Sequence, residues 1–105
     1  MTEAAAGPSG PGTVILELGA DVGALVLFTP VDLDGREIEI SVEDGAARRT
    51  HSQVRPRHMP GGTKYAAVYP DLPAGPYTIW ADEQRQAGRV VIAGGRVTNW
   101  SWPDS

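Results

Sequence analysis

Residues 37–43 read EIEISVE, and this stretch indicates the fold class. Ile38, Ile40 and Val42 occupy every second position, while glutamate or serine fills the positions between them. Successive side chains of a β-strand point to opposite faces of its sheet, so an apolar period of two predicts a strand with one face buried and one in water. This alternation is typical of antiparallel sheets that have one solvated side.

Similar short segments lie on both sides of this strand, separated by glycine, proline and aspartate. We predict further strands at residues 13–18, 24–29, 49–55, 63–69, 77–81, 88–93 and 97–102. Many short strands joined by short turns predict an all-β domain, namely a seven- or eight-stranded antiparallel Greek-key sandwich, with a closed barrel as the alternative. The segment 24–29 (ALVLFT) is apolar on both faces, which is typical of a strand that is covered on both sides or lies at a contact surface.

Length and composition indicate a small single-domain protein. The chain has 105 residues, a formal net charge of −4 and no cysteine. A chain of this length supports one hydrophobic core, and without cysteine it forms no disulfide and no thiolate metal site. The negative balance argues against nucleic acid as a partner, because a basic surface normally supplies most of that affinity.

The first residues of the chain, 1–12 (MTEAAAGPSGPG), contain few of the large apolar side chains that a folded segment buries. We predict a disordered N-terminal arm over residues 1–12 and a β-sandwich domain over residues 13–103. The arm lacks the basic start and the apolar run of an export signal, and no stretch approaches the roughly 18 apolar residues that span a membrane. We therefore expect a cytoplasmic protein without membrane contact, and the alanine-, glycine- and arginine-rich composition is typical of bacteria with GC-rich genomes.

Basic residues cluster in and just after the predicted strand 49–55, and they are the first candidate binding site. The candidates are Arg49, His51, Arg55, Arg57 and His58. If the turn at 44–45 places Glu43 opposite Arg49, the pairs that follow are Ser41–His51, Glu39–Gln53, Glu37–Arg55 and Ile38–Val54. Opposite charges across neighbouring strands favour a solvated sheet face with ion pairs. Arg57 and His58 extend beyond this paired region, which leaves an anion- or partner-binding patch as the alternative.

Aromatic residues form a second candidate surface. Alternation along residues 77–81 directs Trp80 outward. Together with Tyr65 and Tyr69 on the preceding strand, Trp80 would form a protein-contact surface or a platform on which a sugar stacks. The remaining tryptophans share one face of the last strand, and we expect them in the core or at its end: Trp100 and Trp102.

The sequence contains no recognisable catalytic or metal-binding arrangement. His51 and His58 are its only histidines, whereas zinc and iron sites need three or four ligands. No serine lies in a G-x-S-x-G elbow, and no glycine-rich loop precedes a helix that would bind phosphate. We therefore expect no metal, no cofactor and no enzymatic activity.

The second half of the chain carries a motif shared by a family of sandwich domains. Leu72, Pro73, Gly75 and Tyr77 fill the pattern L-P-x-G-x-Y within the sequence LPAGPY. Later positions of the pattern are filled by Val90, Ile92 and Gly95. The chain thereby resembles the transthyretin-like, or prealbumin-like, β-sandwich modules, which include the carboxypeptidase regulatory-like and Cna-B-like domains. This resemblance implies a tight reversal shaped by Pro73 and Gly75, with Leu72 and Tyr77 pointing into the core. It indicates the fold of the chain but no particular function.

These observations together predict a non-catalytic, cytoplasmic binding or scaffolding module. We expect it to contact another protein, or a second copy of itself, through a sheet face or a sheet edge. The residues expected to make the contact are Arg49, His51, Arg55, Arg57, His58 and Trp80, because arginine and tryptophan are enriched at binding hot spots. A small-ligand domain that binds an anion or a carbohydrate is the alternative, and a hydrolase of unknown type is the third possibility.

Overall fold

The structure is a computed structural model, and it describes residues 20–42 and 49–103. The predicted arm at 1–12, the predicted strand at 13–18 and the predicted turn at 44–45 lie outside the described residues. Glu43, the last residue of the predicted strand 37–43, and its predicted pairing with Arg49 also lie outside them.

The described residues form eight strands in two four-stranded sheets. In chain order the strands are β1 (Val22–Thr29), β2 (Glu37–Val42), β3 (Arg49–Gln53), β4 (Arg55–Met59), β5 (Gly62–Pro73), β6 (Gly75–Trp80), β7 (Gln86–Ile92) and β8 (Val97–Ser101). Sheet one has the strand order β4-β5-β1-β8, and sheet two has the order β3-β2-β6-β7. The prediction of an all-β sandwich of seven or eight strands is confirmed.

Apolar side chains from both sheets meet between them and form the core. Its largest fully buried members are Leu25, Leu27, Ile38, Ile40, Val54, Ile79 and Ile92. Ile38 and Ile40 are buried on β2, as the alternation along EIEISVE predicts, whereas Val42 is exposed and Ser41 is buried, contrary to that alternation. Leu72 and Tyr77 also belong to the core, as the LPAGPY motif implies. Burial of each large apolar side chain is worth about 1.5–3 kcal/mol, so the alternation of the strands accounts for much of the driving force.

One pair of neighbouring strands departs from the antiparallel arrangement. β1 and β8 run parallel, with Val26 beside Asn99 and Leu27 beside Trp100. The strand that precedes β8 along the chain, β7, lies in sheet two. Because the chain crosses between the sheets after β7, β8 forms no hairpin with it and enters sheet one in the direction of β1.

The predicted single strand 49–55 is wrong, because the chain changes sheet at Val54. Val54 is fully buried; its N–H donates to the carbonyl of Arg36, and its carbonyl accepts from the N–H of Gly35, both at 2.8 Å. β3 therefore ends in sheet two and β4 begins in sheet one. β4 continues through Pro56, since it lies at an edge of the described sheet, where proline is tolerated. β4 continues to Met59, so only Pro60 and Gly61 separate it from β5.

The pairing of β2 with β3 differs from the predicted register by two residues. Ser41 stands opposite Arg49, and Glu39 stands opposite His51. A shift of two residues keeps every side chain on the same face, because the side-chain period of a strand is two. The predicted orientation of these residues therefore survives, although their predicted partners are wrong.

The segment that joins β5 to β6 is a crossing between sheets and not the predicted tight reversal. β5 continues to Pro73, and only Ala74 separates it from β6, which lies in the other sheet. The N–H of Ala74 donates to the carbonyl of Asp21 at 2.8 Å. Gly75 follows with a φ of 136°, a conformation that residues with a side chain rarely adopt.

Candidate binding surfaces

The six residues predicted to form a binding site lie in two different sheets. Three lie on the outer face of sheet two: Arg49, His51 and Trp80. Three lie on β4 in sheet one: Arg55, Arg57 and His58. The change of sheet at Val54 separates the two groups, so the expectation of one continuous basic strand is wrong.

Arg49 and Trp80 form a compact cluster on sheet two. The Arg49 guanidinium carbon lies 3.8 Å from the centroid of the Trp80 ring. Arg49 also donates to Oε1 of Glu39 at 2.9 Å and to the carbonyl of Glu83 at 3.0 Å. The Trp80 indole N–H donates to Oγ of Ser41 at 2.9 Å. Because the charge of Arg49 is balanced and one face of the indole is covered, this cluster stabilises the sheet and has little capacity left for a ligand.

The predicted aromatic platform does not form. Trp80 lies in sheet two, whereas Tyr65 and Tyr69 lie on β5 in sheet one. Tyr69 is buried in the core and Tyr65 packs against it. Alternation along β5 places both tyrosines on the inner side of their sheet, so they cannot share a surface with Trp80.

The two histidines lie apart and in open positions. Nε2 of His51 lies 3.8 Å from Oε1 of Glu37, and the two side chains are 60% and 62% exposed. On sheet one, Nδ1 of His58 lies 3.1 Å from Oγ1 of Thr63. A general base needs a positioned partner within a site that excludes water. The open pair of His51 and Glu37 is instead a contact between side chains of neighbouring strands on a solvated face.

The outer face of sheet one is apolar along its two central strands. Leu25 and Leu27 point from β1 into the core, so the residues between them and beside them point outward. The members from β5 stand directly opposite members from β1. Sheet two packs against the other side. We call the following set the apolar face, in which the two alanines are buried and the three larger side chains are half-buried: Ala24, Val26, Phe28, Ala66 and Val68.

Three cations lie beside the apolar face, and we call them the basic edge: Arg55, Arg57 and Lys64. Arg55 stands opposite Ala66, and Arg57 stands opposite Lys64, so all three share the outer side of sheet one. The Arg57 guanidinium donates to the carbonyl of Ala66 at 3.3 Å, and Arg55 donates to Oε1 of Gln53 at 3.1 Å. Within residues 20–42 and 49–103, no carboxylate forms an ion pair with the basic edge.

A depression of about 470 Å³ lies where β1 ends. β1 ends at Thr29 because a proline at position 30 has no N–H for the next ladder hydrogen bond. β5 extends further in this direction, since Tyr65 is the partner of Thr29 and the residues that precede Tyr65 pair only with β4. The depression is lined by Phe28, Thr29, Thr63, Lys64, Tyr65 and Ser101. It joins the apolar face through Phe28 and the basic edge through Lys64.

Trp100 and Trp102 pack partly buried against the core, which confirms the interpretation that the sequence favours. Their rings meet edge to face, with centroids 6.1 Å apart and planes at 86°. Trp100 lies so close to β7 that a Cβ atom at Gly88 would stand 2.6 Å from its Cζ2 atom. The small residue at position 88 therefore makes room for this ring.

Gly88→Ala is expected to lower the free energy of unfolding by about 1–3 kcal/mol, because the added methyl group forces the Trp100 ring out of its position. Chemical denaturation, followed by tryptophan fluorescence, measures the change. In a Trp100→Phe background the smaller ring leaves space, and the penalty of Gly88→Ala should shrink. An unchanged penalty in that background would show that another contact is responsible.

Two features of the described residues bear on other classes of function. No group of three histidine, aspartate or glutamate side chains in the described part of the chain is arranged to hold a metal ion. No helix among these residues is long and apolar enough to cross a membrane.

Comparison with known proteins yields no assignment for the chain. Models of protein families, curated proteins and solved structures were each searched, and none matches it.

Proposed function

We propose that the chain is a non-catalytic binding module that contacts another protein through the apolar face and the basic edge of sheet one. One observation carries the proposal. Three half-buried apolar side chains of the apolar face, Val26, Phe28 and Val68, point away from the core next to three cations that have no ion-paired carboxylate within the described residues. An apolar centre beside a charged border is the ordinary anatomy of a protein interface.

The composition of this surface favours a protein partner of acidic character. Phe28 supplies a large and rigid ring, and arginine is among the residue types that dominate binding energy. The basic edge complements aspartate or glutamate on the partner. A second copy of the chain is less suitable, because each copy has a net charge of −4 and like net charges repel.

Phe28→Ser is expected to weaken partner binding by about 30-fold or more, since the loss of a hot-spot side chain costs about 2 kcal/mol or more. The measurement is affinity purification from the native host, followed by titration of the recovered partner against each variant. Val91→Ser is the matched control, because Val91 is 67% exposed on sheet two. Equal partner binding by wild type and Phe28→Ser would contradict the proposal.

Trp80→Ala distinguishes a contact on sheet one from a contact on the aromatic surface around Trp80 that the sequence predicts. We expect Trp80→Ala to keep the partner and to lower the melting temperature, because Trp80 supports Arg49 and Ser41 within sheet two. Loss of the partner together with an unchanged melting temperature would instead place the contact on sheet two.

The alternative is a small-ligand domain, and the depression at the end of β1 favours it. Its volume of about 470 Å³ lies within the usual range of ligand pockets, and Lys64 supplies a positive charge for an anion. A thermal-shift screen with small anions and sugars distinguishes the two functions, because a ligand that binds only the folded state raises the melting temperature.

We also propose that the sandwich is transthyretin-like and that the protein acts in the cytoplasm. The buried positions of Leu72 and Tyr77 support the first point, and the lack of cysteine is consistent with a reducing compartment. An experimental structure tests the fold family through strand connectivity. Fractionation of the host cells tests the location.

A further inference from the structure

The depression at the end of β1 differs in charge from two smaller depressions on the surface. Its lining contains one cation, Lys64, and no carboxylate. A depression of about 270 Å³ on sheet two is lined by Glu37, Glu39, Asp82 and Glu83 together with one arginine. A third depression, of about 210 Å³, pairs one aspartate with one arginine. The first depression therefore offers a positive charge that no carboxylate in its own lining balances.

Lys64 is well suited to hold an anion at this place. Its side chain is exposed, and it stands opposite Arg57, whose guanidinium is already held by the carbonyl of Ala66. An ammonium group on a flexible stem donates three hydrogen bonds and adjusts its position more freely than a guanidinium. Lys64 is also the only lysine in the chain, so its chemistry can be altered or followed without interference from another lysine.

The other lining groups suit a carboxylate next to an apolar side chain. Thr29 donates its hydroxyl to the carbonyl of Pro30 at 3.0 Å, and Ser101 and Thr63 also line the depression. Ser101 stands beside Phe28 on the outer side of sheet one, the side that Lys64 shares, so its hydroxyl is a hydrogen-bond donor near Lys64. Phe28 offers an aromatic ring at the side that joins the apolar face.

We infer that this depression receives the carboxylate of an aspartate or glutamate side chain of the bound partner, held by Lys64, while the neighbouring apolar side chain of the partner lies on Phe28. The inference rests on the proposed function, because it assigns a recognition element to the same surface. It commits to an acidic side chain within a polypeptide, and a free C-terminal carboxylate is a separate outcome of the test.

The experiment is an NMR titration of the full-length, ¹⁵N-labelled chain with capped dipeptides. Acetyl-Phe-Glu-amide carries the acidic side chain, and acetyl-Phe-Gln-amide is its neutral isostere. We expect the first peptide to shift the amide resonances of Thr63, Lys64 and Ser101 and to bind about two- to fivefold more tightly, the range for an exposed ion pair. Lys64→Met should remove the difference between the peptides. Arg96→Gln, which deletes an exposed charge just before β8, at the opposite end of β1, should preserve it.

Several outcomes would overturn the inference. These are equal binding of both peptides to wild type, retained discrimination in Lys64→Met, and the absence of any shift around the depression. Tighter binding of acetyl-Gln-Phe with a free C-terminal carboxylate than of acetyl-Phe-Glu-amide would assign the depression to a chain terminus instead. If Phe28→Ser loses the partner while the dipeptides show no discrimination, the inference fails and the proposed function stands. If Phe28→Ser keeps the partner, the proposed function itself fails.

Discussion

Leu27→Ala is expected to lower the free energy of unfolding by about 2–5 kcal/mol, the usual cost of a large-to-small change in a packed core. Leu27 is fully buried on β1, which lies between β5 and β8 in sheet one. Neighbours on three sides hold the cavity open, so little of the loss is recovered by relaxation. Small domains are stabilised by about 5–15 kcal/mol in total, and urea denaturation should show a clear fall in the midpoint.

Val26→Ala is the matched control, because Val26 is the neighbour of Leu27 in sequence and points to the opposite side of the sheet. We expect it to cost less than about 1 kcal/mol, since its side chain is only half-buried on the apolar face. If the proposed function is correct, Val26→Ala weakens partner binding more than it weakens the fold. Equal losses of stability at the two positions would contradict the orientation of β1 in the sandwich.

Tyr69→Phe is expected to lower the free energy of unfolding by about 1–3 kcal/mol, because a buried carbonyl loses its hydrogen-bond donor. The Tyr69 hydroxyl donates to the carbonyl of Ile38, and this bond joins β5 of sheet one to β2 of sheet two. Tyr65→Phe is the control on the same strand, and we expect it to leave the melting temperature almost unchanged. A fall of equal size in both variants would show that the cross-sheet bond contributes nothing specific.

The pH dependence of stability gives Tyr69 a second signature. Burial raises the pKa of the Tyr69 hydroxyl, so the folded state favours the neutral phenol. The stabilisation linked to this shift is fully present below the unfolded value of about 10 and is lost as the pH rises towards the folded value. Wild type should lose stability between about pH 10 and 12, and Tyr69→Phe should lose less over the same range. Burial also raises the pKa of Tyr77, so a residual slope is expected in the variant.

The orientation of side chains could be predicted from sequence because it depends on local geometry. Ile38 and Ile40 lie in the core as their spacing requires, and so do Leu25 and Leu27 at alternate positions of ALVLFT. The same reasoning fails at the segment 49–55, where an apparently continuous strand belongs to two sheets. The only sign in the sequence that the chain changes sheet here is Val54, a single large apolar residue in a polar run. Its side chain is fully buried in the core.

The loss of strand pairing at this crossing is compensated by a side chain that sequence patterns do not reveal. Oγ of Ser52 donates to the carbonyl of Val68 at 2.8 Å and accepts from its N–H at 3.2 Å. These two bonds satisfy backbone groups of β5 where β4 does not reach. Ser52 therefore holds β3 of sheet two against sheet one, and its role depends on residues distant in sequence.

The candidate site was predicted only in part for the same reason. The sequence predicts Arg55 and Arg57 as binding residues, and the apolar character of residues 24–29 predicts a covered or contacting strand. Their combination with Ala66, Val68 and Lys64 depends on the pairing of β5 with both β1 and β4. The sequence predicts Trp80 as a contact residue, but Arg49 covers one face of its ring. Arg49 lies on β3, whose register with β2 differs by two residues from the predicted one.

Periodicity alone therefore predicts an all-β chain and the apolar side of most strands, because the alternation of side chains depends on the backbone geometry of a few consecutive residues. Long-range packing alone decides which strands are neighbours and in which register they pair. It also decides which outward residues come together in one surface. Loop crossings and cross-sheet hydrogen bonds select among pairings that share the same alternation, and no short stretch of residues contains that information.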